Sequence, residues 1–168
     1  QGIKWTEEGL RKTLETYYRL TLETDAKLVV LPETALPLFL HEVPPIYLDA
    51  LEQHVRRNAG DILIGVPERL PSGEYYNSVI SVGASAQQAY RKTHLVPFGE
   101  FIPLRPVLGW IVSVLAIPLQ DFSRGVTDRK PMAVAGARLA VNICYEDVFG
   151  EEIIRQLPEA TLLVYVGN

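Results

Sequence analysis

An apolar segment that stops at a thiol limits what this 168-residue chain can fold into. Residues Leu139–Ile143 read Leu-Ala-Val-Asn-Ile, and the β-branched side chains among them are typical of a buried strand. Cys144, the only cysteine, follows at once, and a helical stretch over Glu151–Leu157 begins soon after. A thiol at such a turn can project into a cleft, where helix N-terminal amides favour the thiolate. The alternative is that Cys144 is a small buried apolar residue.

The rest of the chain alternates between helical and extended patterns. Helices are predicted over Glu7–Thr24, from Pro44-Pro45 to a stop at Asn58-Ala59-Gly60, and over Glu151–Leu157. Strands are predicted over Lys27–Leu31, Asp61–Pro67, Tyr76–Gly83, Gln88–Lys92, Pro131–Ala135, Arg138–Cys144 and Thr161–Val166. Strands that are almost wholly apolar and alternate with helices indicate an α/β layered fold, and the length suits about one domain.

Composition excludes several classes of protein. The net charge of −4, without a block of Lys or Arg, argues against nucleic-acid binding. A single cysteine excludes an internal disulfide framework, and the three scattered histidines lack metal-ligand spacing, so we expect no metal. No apolar run reaches the roughly 18 residues of a membrane-spanning helix. Because the chain begins at Gln1 rather than Met and ends at Asn168 just after a strand, we expect it to be a piece of a longer protein.

Two further strands end beside polar residues that could act with the thiol. Glu33 lies in Leu-Pro-Glu-Thr-Ala directly after a buried strand. Lys92, His94 and Glu100 lie in the motif Tyr90–Pro103, whose prolines and glycine predict an ordered loop. Taken singly, Glu33 could be a solvated loop residue and Lys92 a surface lysine. A buried glutamate can accept a thiol proton, and an ammonium can stabilise a thiolate or an oxyanion. Together with a cysteine, these residue types form a coherent acyl-transfer set.

The motifs around these residues resemble a known superfamily. Leu31–Ala35, Tyr90–Leu95 and Ile143–Glu146 are similar to the nitrilase (carbon–nitrogen hydrolase) superfamily, in which a Glu-Lys-Cys triad sits on an αββα sandwich. More narrowly, Val96–Pro103 (Val-Pro-Phe-Gly-Glu-Phe-Ile-Pro) resembles the apolipoprotein N-acyltransferases of bacterial inner membranes, as do the opening Ile-Lys-Trp and Phe122–Gly125. The resemblance covers essentially the whole chain.

The resemblance implies a set of roles. Glu33 is then the general base, Lys92 the stabilising cation and Cys144 the nucleophile. The supporting residues implied are Glu100, Tyr145, Glu146, Asn77 and Trp5. The implied reaction is ping-pong: a phospholipid donates its acyl chain to the cysteine, and the α-amino group of a diacylglyceryl-cysteine apolipoprotein accepts it. No metal or organic cofactor is implied.

The resemblance also implies a location and a larger protein. These acyltransferases lie in the bacterial inner membrane, with the nitrilase-like domain on the periplasmic side. They carry N-terminal membrane helices and further C-terminal strands that this sequence lacks. We therefore expect residues 1–168 to be a nitrilase-like catalytic domain that is truncated at its C-terminal side.

One apolar segment is a candidate for contact with lipid. Leu104–Leu119 is apolar on every face of a predicted helix, so it is either buried in the core or in contact with a membrane. Since the implied substrates are lipids, we expect an arm beside the cleft that dips into the bilayer through Trp110, Ile111 and Leu115.

Two other functions remain open from the sequence. A soluble amidase or nitrilase could use the same triad with water as the acceptor, and it would have a polar pocket and no exposed apolar arm. A non-catalytic binding module would hold the three side chains too far apart to cooperate.

Overall fold

Two β-sheets face each other, and two helices cover one of them. The computed structural model describes residues 7–97, 100, 122–127 and 130–167. The first sheet has the order β1-β2-β3-β4, built from Leu28–Val30, Asp61–Arg69, Tyr75–Gly83 and Ala89–Arg91. The second has the order β5-β6-β7, built from Met132–Val134, Ala137–Ile143 and Leu162–Val166. The pairs β1–β2 and β6–β7 are parallel, and the other neighbours are antiparallel.

The described helices are α1 (Glu7–Leu22), α2 (Pro45–Arg56) and α3 (Gly150–Ile154), with short 3-10 helices at Leu40–Glu42 and Cys144–Val148. The predicted α/β fold is confirmed, and most bounds differ from the prediction by one to three residues. The helix predicted over Glu151–Leu157 is shorter, and the 3-10 helix that begins at Cys144 was not predicted.

The first sheet is apolar on both faces because each face packs against another layer. Ile62 and Ile64 of β2 point towards α1 and α2, and Leu63 between them points into the space between the sheets. Val79 of β3 joins Leu63 in that inner layer. Burial on both sides explains why the β2 sequence is continuously apolar rather than alternating.

A buried carboxylate joins the two sheets. Asp61, at the start of β2, is fully buried and accepts hydrogen bonds from the backbone N–H and hydroxyl of Ser85, at 2.9 and 2.6 Å. Its Oδ2 also accepts the N–H of Ala135 at 2.6 Å. Ala135 lies in the tight turn between β5 and β6, where Ala135 and Gly136 both have positive φ, as a two-residue hairpin requires. The contact fixes the β5–β6 hairpin against the first sheet.

Two predictions fall outside the described residues. Trp5, and the arm with Trp110, Ile111 and Leu115, are not among them. Within the part of the chain that the structure does describe, no helix has the length and apolar character to cross a membrane.

Candidate active site

The three residues predicted to act together meet in one cluster. Glu33 lies three residues beyond the end of β1, whereas Lys92 and Cys144 directly follow β4 and β6. Lys92 Nζ is 3.2 Å from Glu33 Oε1, and the charges of Glu33 and Lys92 both act on the Cys144 thiol. The strand ends therefore bring a carboxylate and an ammonium into contact, and the thiol lies within the influence of both charges.

Lys92 is a buried ammonium held by two carboxylates. Its side chain is 1% exposed, and Nζ lies 2.9 Å from Glu100 Oε2 as well as 3.2 Å from Glu33 Oε1. Burial alone would lower the pKa of Lys92, but hydrogen bonds and charge interactions with Glu100 and Glu33 outweigh burial and raise the pKa. Lys92 is therefore a cation at neutral pH. The alternative of a surface lysine does not fit this burial.

Asn77 fixes the positions of the two carboxylates. It lies on β3, is buried, and its Nδ2 donates to Glu33 Oε1 and Glu100 Oε1, both at 2.8 Å. One amide nitrogen has two hydrogens, so each carboxylate receives one. Two ionised carboxylates and one ammonium give the group a formal charge of −2 + 1 = −1. A net negative charge beside the thiol opposes formation of a thiolate.

Cys144 has an unusual backbone and a raised pKa. Its φ of 48° lies in the left-handed region, which non-glycine residues adopt only where the surrounding structure enforces it. Burial and the Glu33 charge raise the pKa of Cys144, and the opposing effects of Lys92 and the Tyr145 N–H are smaller. The expectation of a stabilised thiolate is therefore wrong. The raised pKa keeps the resting residue a thiol.

Glu146 connects the loop after β4 to the turn that holds Cys144. The side chain is 1% exposed. Oε1 accepts hydrogen bonds from the Thr93 N–H (2.7 Å), the Thr93 hydroxyl (2.9 Å) and the His94 N–H (3.2 Å). Oε2 accepts the Tyr90 hydroxyl (2.6 Å) and the Ile143 N–H (2.9 Å). Glu146 thus fixes the residues next to Lys92 relative to the residue before Cys144.

Aromatic rings border the thiol on the side of the 3-10 helix. Tyr145 is 38% exposed, and its ring meets Phe149 edge-on at 5.4 Å between centroids. Phe149 stacks on His94 at 3.9 Å, and His94 Nε2 is 2.8 Å from Glu152 Oε1. Phe149 and Glu152 were not predicted as site residues, because only the three-dimensional contact relates them to the loop after Lys92.

Two glycines are required for the strand ends to approach so closely, and both were missed. A Cβ on Gly65 would lie 2.2 Å from the Pro32 carbonyl oxygen and 2.8 Å from Glu33 Cα. A Cβ on Gly125 would lie 2.1 Å from the Arg91 carbonyl oxygen. A glycine inside an apolar strand pattern, as at Gly65, is a sequence signal of close backbone approach.

The described residues on either side of positions 101–121 are tied to the same cluster. The Phe122 N–H donates to the Glu100 carbonyl oxygen at 3.0 Å, and the Gly125 N–H donates to the Lys92 carbonyl oxygen at 2.9 Å. The Ser123 N–H donates to the Tyr75 carbonyl oxygen at 2.6 Å. The described residues that flank positions 101–121 are therefore held by backbone hydrogen bonds at Glu100 and Lys92.

Among residues 7–97, 100, 122–127 and 130–167, no group of three or more His, Cys, Asp or Glu side chains is arranged to hold a metal ion.

Sequence comparisons identify bacterial relatives. A protein of Nitrosomonas europaea named apolipoprotein N-acyltransferase is 55% identical over 169 residues, covering 100% of this chain and 34% of the relative. A protein of Chromobacterium violaceum with the same name is 44% identical over 169 residues, covering 100% of the chain and 33% of the relative. The chain thus spans about one third of the length of these curated relatives.

Structural comparisons and a family profile agree on the fold. A carbon–nitrogen hydrolase of Helicobacter pylori G27 superposes with a TM-score of 0.63 at 20% identity, covering 94% of this chain and 55% of that chain. The Caenorhabditis elegans NitFhit protein superposes with a TM-score of 0.68 at 17% identity, covering 94% and 40%. These likenesses confirm the nitrilase-like fold. Since the profile described as Carbon-nitrogen hydrolase matches residues 1–168, the chain belongs to the carbon–nitrogen hydrolase family.

Proposed function

We propose that residues 1–168 are a catalytic region of an apolipoprotein N-acyltransferase. In this reaction Cys144 takes an acyl chain from a phospholipid as a thioester and passes it to the N-terminal amine of a diacylglyceryl-cysteine lipoprotein. The relatives' name supports acyl transfer to an apolipoprotein amine. The observation that carries the chemistry is the ion pair between Lys92 and Glu33, whose charge also acts on the Cys144 thiol.

The first step forms the thioester. Cys144 Sγ attacks the ester carbonyl carbon of the donor while Glu33 accepts the thiol proton, because a thiol with a raised pKa must lose its proton as it attacks. The Lys92 ammonium stabilises the oxyanion that forms on the carbonyl oxygen. When the tetrahedral intermediate collapses, the lysophospholipid oxygen leaves and takes the proton from Glu33.

The second step consumes the thioester. The lipoprotein amine attacks the thioester carbonyl carbon, Glu33 accepts an amine proton, and the C–S bond breaks to give an amide. Cys144 leaves as a thiolate, which the Tyr145 N–H and Lys92 stabilise until Glu33 returns the proton. Atoms and charges balance in both steps without a metal or an organic cofactor.

The same triad could pass the acyl group to water, as in an amidase of the nitrilase type. The cluster geometry is common to both reactions, so the acceptor has to be identified by its product. A non-catalytic module is a poorer fit, because Lys92 and Glu33 form an ion pair and the charges of both act on the Cys144 thiol. We also propose the inner membrane, on its periplasmic side, as the location, with the apolar arm guiding acyl chains.

Mass spectrometry of the protein incubated with phospholipid tests the proposal. We expect an acyl adduct on Cys144 that a synthetic diacylated lipopeptide discharges as an N-acylated product. Cys144→Ser should fail to accumulate it, because Glu33 activates an alcohol far less readily than a thiol. An adduct that persists in Cys144→Ala contradicts the nucleophile assignment. Release of free fatty acid with no acylated lipopeptide would favour the hydrolase.

A further inference from the structure

Outside the catalytic cluster, the described structure has a small pocket with a strongly basic wall. The pocket has a volume of about 180 Å³ and lies along the outer edge of β4. Its basic residues are Arg91, Arg124 and Lys130, and no acidic residue is among the described residues that line it. Since the chain as a whole has a net charge of −4, three cations around one cavity are a local reversal of charge.

Arg91 is held in place at the pocket wall. Its Nε donates to Glu68 Oε2 at 2.9 Å and its Nη2 to Glu68 Oε1 at 3.3 Å. The guanidinium also lies 4.9 Å from the ring centroid of Tyr76, which lines the same pocket. A guanidinium has five N–H donors, and these contacts with Glu68 use two of them. Arg91 therefore presents further donors in a fixed orientation, which reduces the entropy lost on binding an anion.

The other basic residues come from the segment that returns to β4. The Gly125 N–H donates to the Lys92 carbonyl oxygen at 2.9 Å, so the backbone next to Arg124 is held next to Arg91. Both arginines line the pocket. Two acidic residues lie behind this wall: Glu68 pairs with Arg91, and Glu74 interacts with Tyr76.

We propose that this pocket binds a phosphate group. Guanidinium groups match phosphate oxygens with paired hydrogen bonds, and a lysine adds a mobile positive charge. The volume exceeds the ~30 Å³ of one water molecule several times, so it admits a phosphate with part of its substituent. The group belongs either to a phospholipid headgroup or to a free phosphate. The pocket is separate from the Cys144 cluster, so this inference stands independently of the acyl-transfer proposal.

Thermal melts of the protein with increasing inorganic phosphate test the pocket, because a ligand of the native state raises the melting temperature. Potassium chloride at matched ionic strength controls for screening. Arg124→Gln and Lys130→Gln remove exposed cations of the pocket, so both variants should fold. Each variant loses a charged hydrogen-bond donor to the phosphate. The phosphate concentration that gives half of the maximal rise in melting temperature should therefore increase about tenfold. Arg57→Gln and Lys12→Gln, which remove exposed cations elsewhere, should behave like wild type.

A second titration with dihexanoyl phosphatidylethanolamine identifies the source of the phosphate. A shift with this lipid that competes with inorganic phosphate indicates a headgroup site, and a shift with inorganic phosphate alone indicates a free anion. The proposal is overturned if phosphate gives no more shift than chloride, or if the control variants weaken binding as much as the pocket variants. Acylation of Cys144 by p-nitrophenyl butyrate, a donor without phosphate, reports the acyl-transfer chemistry separately.

Discussion

Replacing Glu146 with glutamine tests how the catalytic loops are aligned. The change keeps the shape of the side chain and turns one acceptor oxygen into an NH2 group. If that group takes the place of Oε1, it faces the N–H groups of Thr93 and His94. If it takes the place of Oε2, it faces the Tyr90 hydroxyl, which can turn to accept, and the Ile143 N–H, which cannot. The second orientation is therefore preferred.

The cost follows from the Ile143 N–H, which keeps no acceptor, and from the amide hydrogen of the new side chain that faces it. A buried N–H that loses its acceptor costs about 1–3 kcal/mol. The hydrogen bonds that survive lose their charge assistance, but a neutral amide is less costly to bury than a carboxylate, so these effects largely offset each other. We expect Glu146→Gln to lower the free energy of unfolding by about 2 kcal/mol.

The assay is urea denaturation of the purified variant beside wild type and a matched control. Glu151→Gln makes the same chemical change at an exposed position of α3 and should stay within about 0.5 kcal/mol of wild type. Because Ile143 adjoins Cys144, misalignment should also slow formation of the acyl-enzyme by about 100-fold. A Glu146→Gln protein as stable as the control, with normal acylation, would refute the alignment role.

Two further predictions concern the thiol and a glycine. Since burial and the Glu33 charge raise the pKa of Cys144, the rate of its alkylation by iodoacetamide should still be increasing with pH at pH 9. Removing the negative charge in Glu33→Gln should move this increase in rate to lower pH, and removing the positive charge in Lys92→Met should move it to higher pH. An unshifted pH profile in both variants contradicts the electrostatic account. In Gly65→Ala the new Cβ would lie 2.2 Å from a backbone oxygen, so the free energy of unfolding measured with urea should fall by about 3 kcal/mol. Gly150→Ala, with no heavy atom within 4 Å of the new Cβ, should be nearly neutral. Equal stability of the two variants contradicts the packing argument.

Strand ends could be located from sequence where a buried strand appears as a run of apolar residues. Apolar runs marked where the chain leaves a sheet before Glu33 and at Cys144, and a strand pattern that is not strongly apolar preceded Lys92. The structure has strands that end directly before Lys92 and Cys144 and three residues before Glu33. Motif resemblance then assigned the three residues to one site. Their chemical roles stay predictions, and so does membrane contact by the arm at Leu104–Leu119.

The sign of the Cys144 pKa shift could not be derived from sequence, because it depends on competing distances. A nearby cation and backbone amides were expected to favour the thiolate, but burial and the charge of Glu33 dominate. The five hydrogen bonds to Glu146 were equally hidden, since their donors lie more than 50 positions away in four of five cases. Residue spacing does not encode such contacts.

The hydrogen bond between the Glu100 carbonyl oxygen and the Phe122 N–H has a consequence for how enzymes of this fold diverge. Because the two ends of positions 101–121 already meet, the length of chain between them can change without displacing Lys92 or Glu100. When the two ends of a chain segment are held together, doubling its length raises the entropic cost of closure by only about 0.6 kcal/mol. Insertions and deletions between Glu100 and Phe122 should therefore change the free energy of unfolding little. A lineage could acquire a new segment here, or lose one, while the cluster of Glu33, Lys92 and Cys144 stays unchanged.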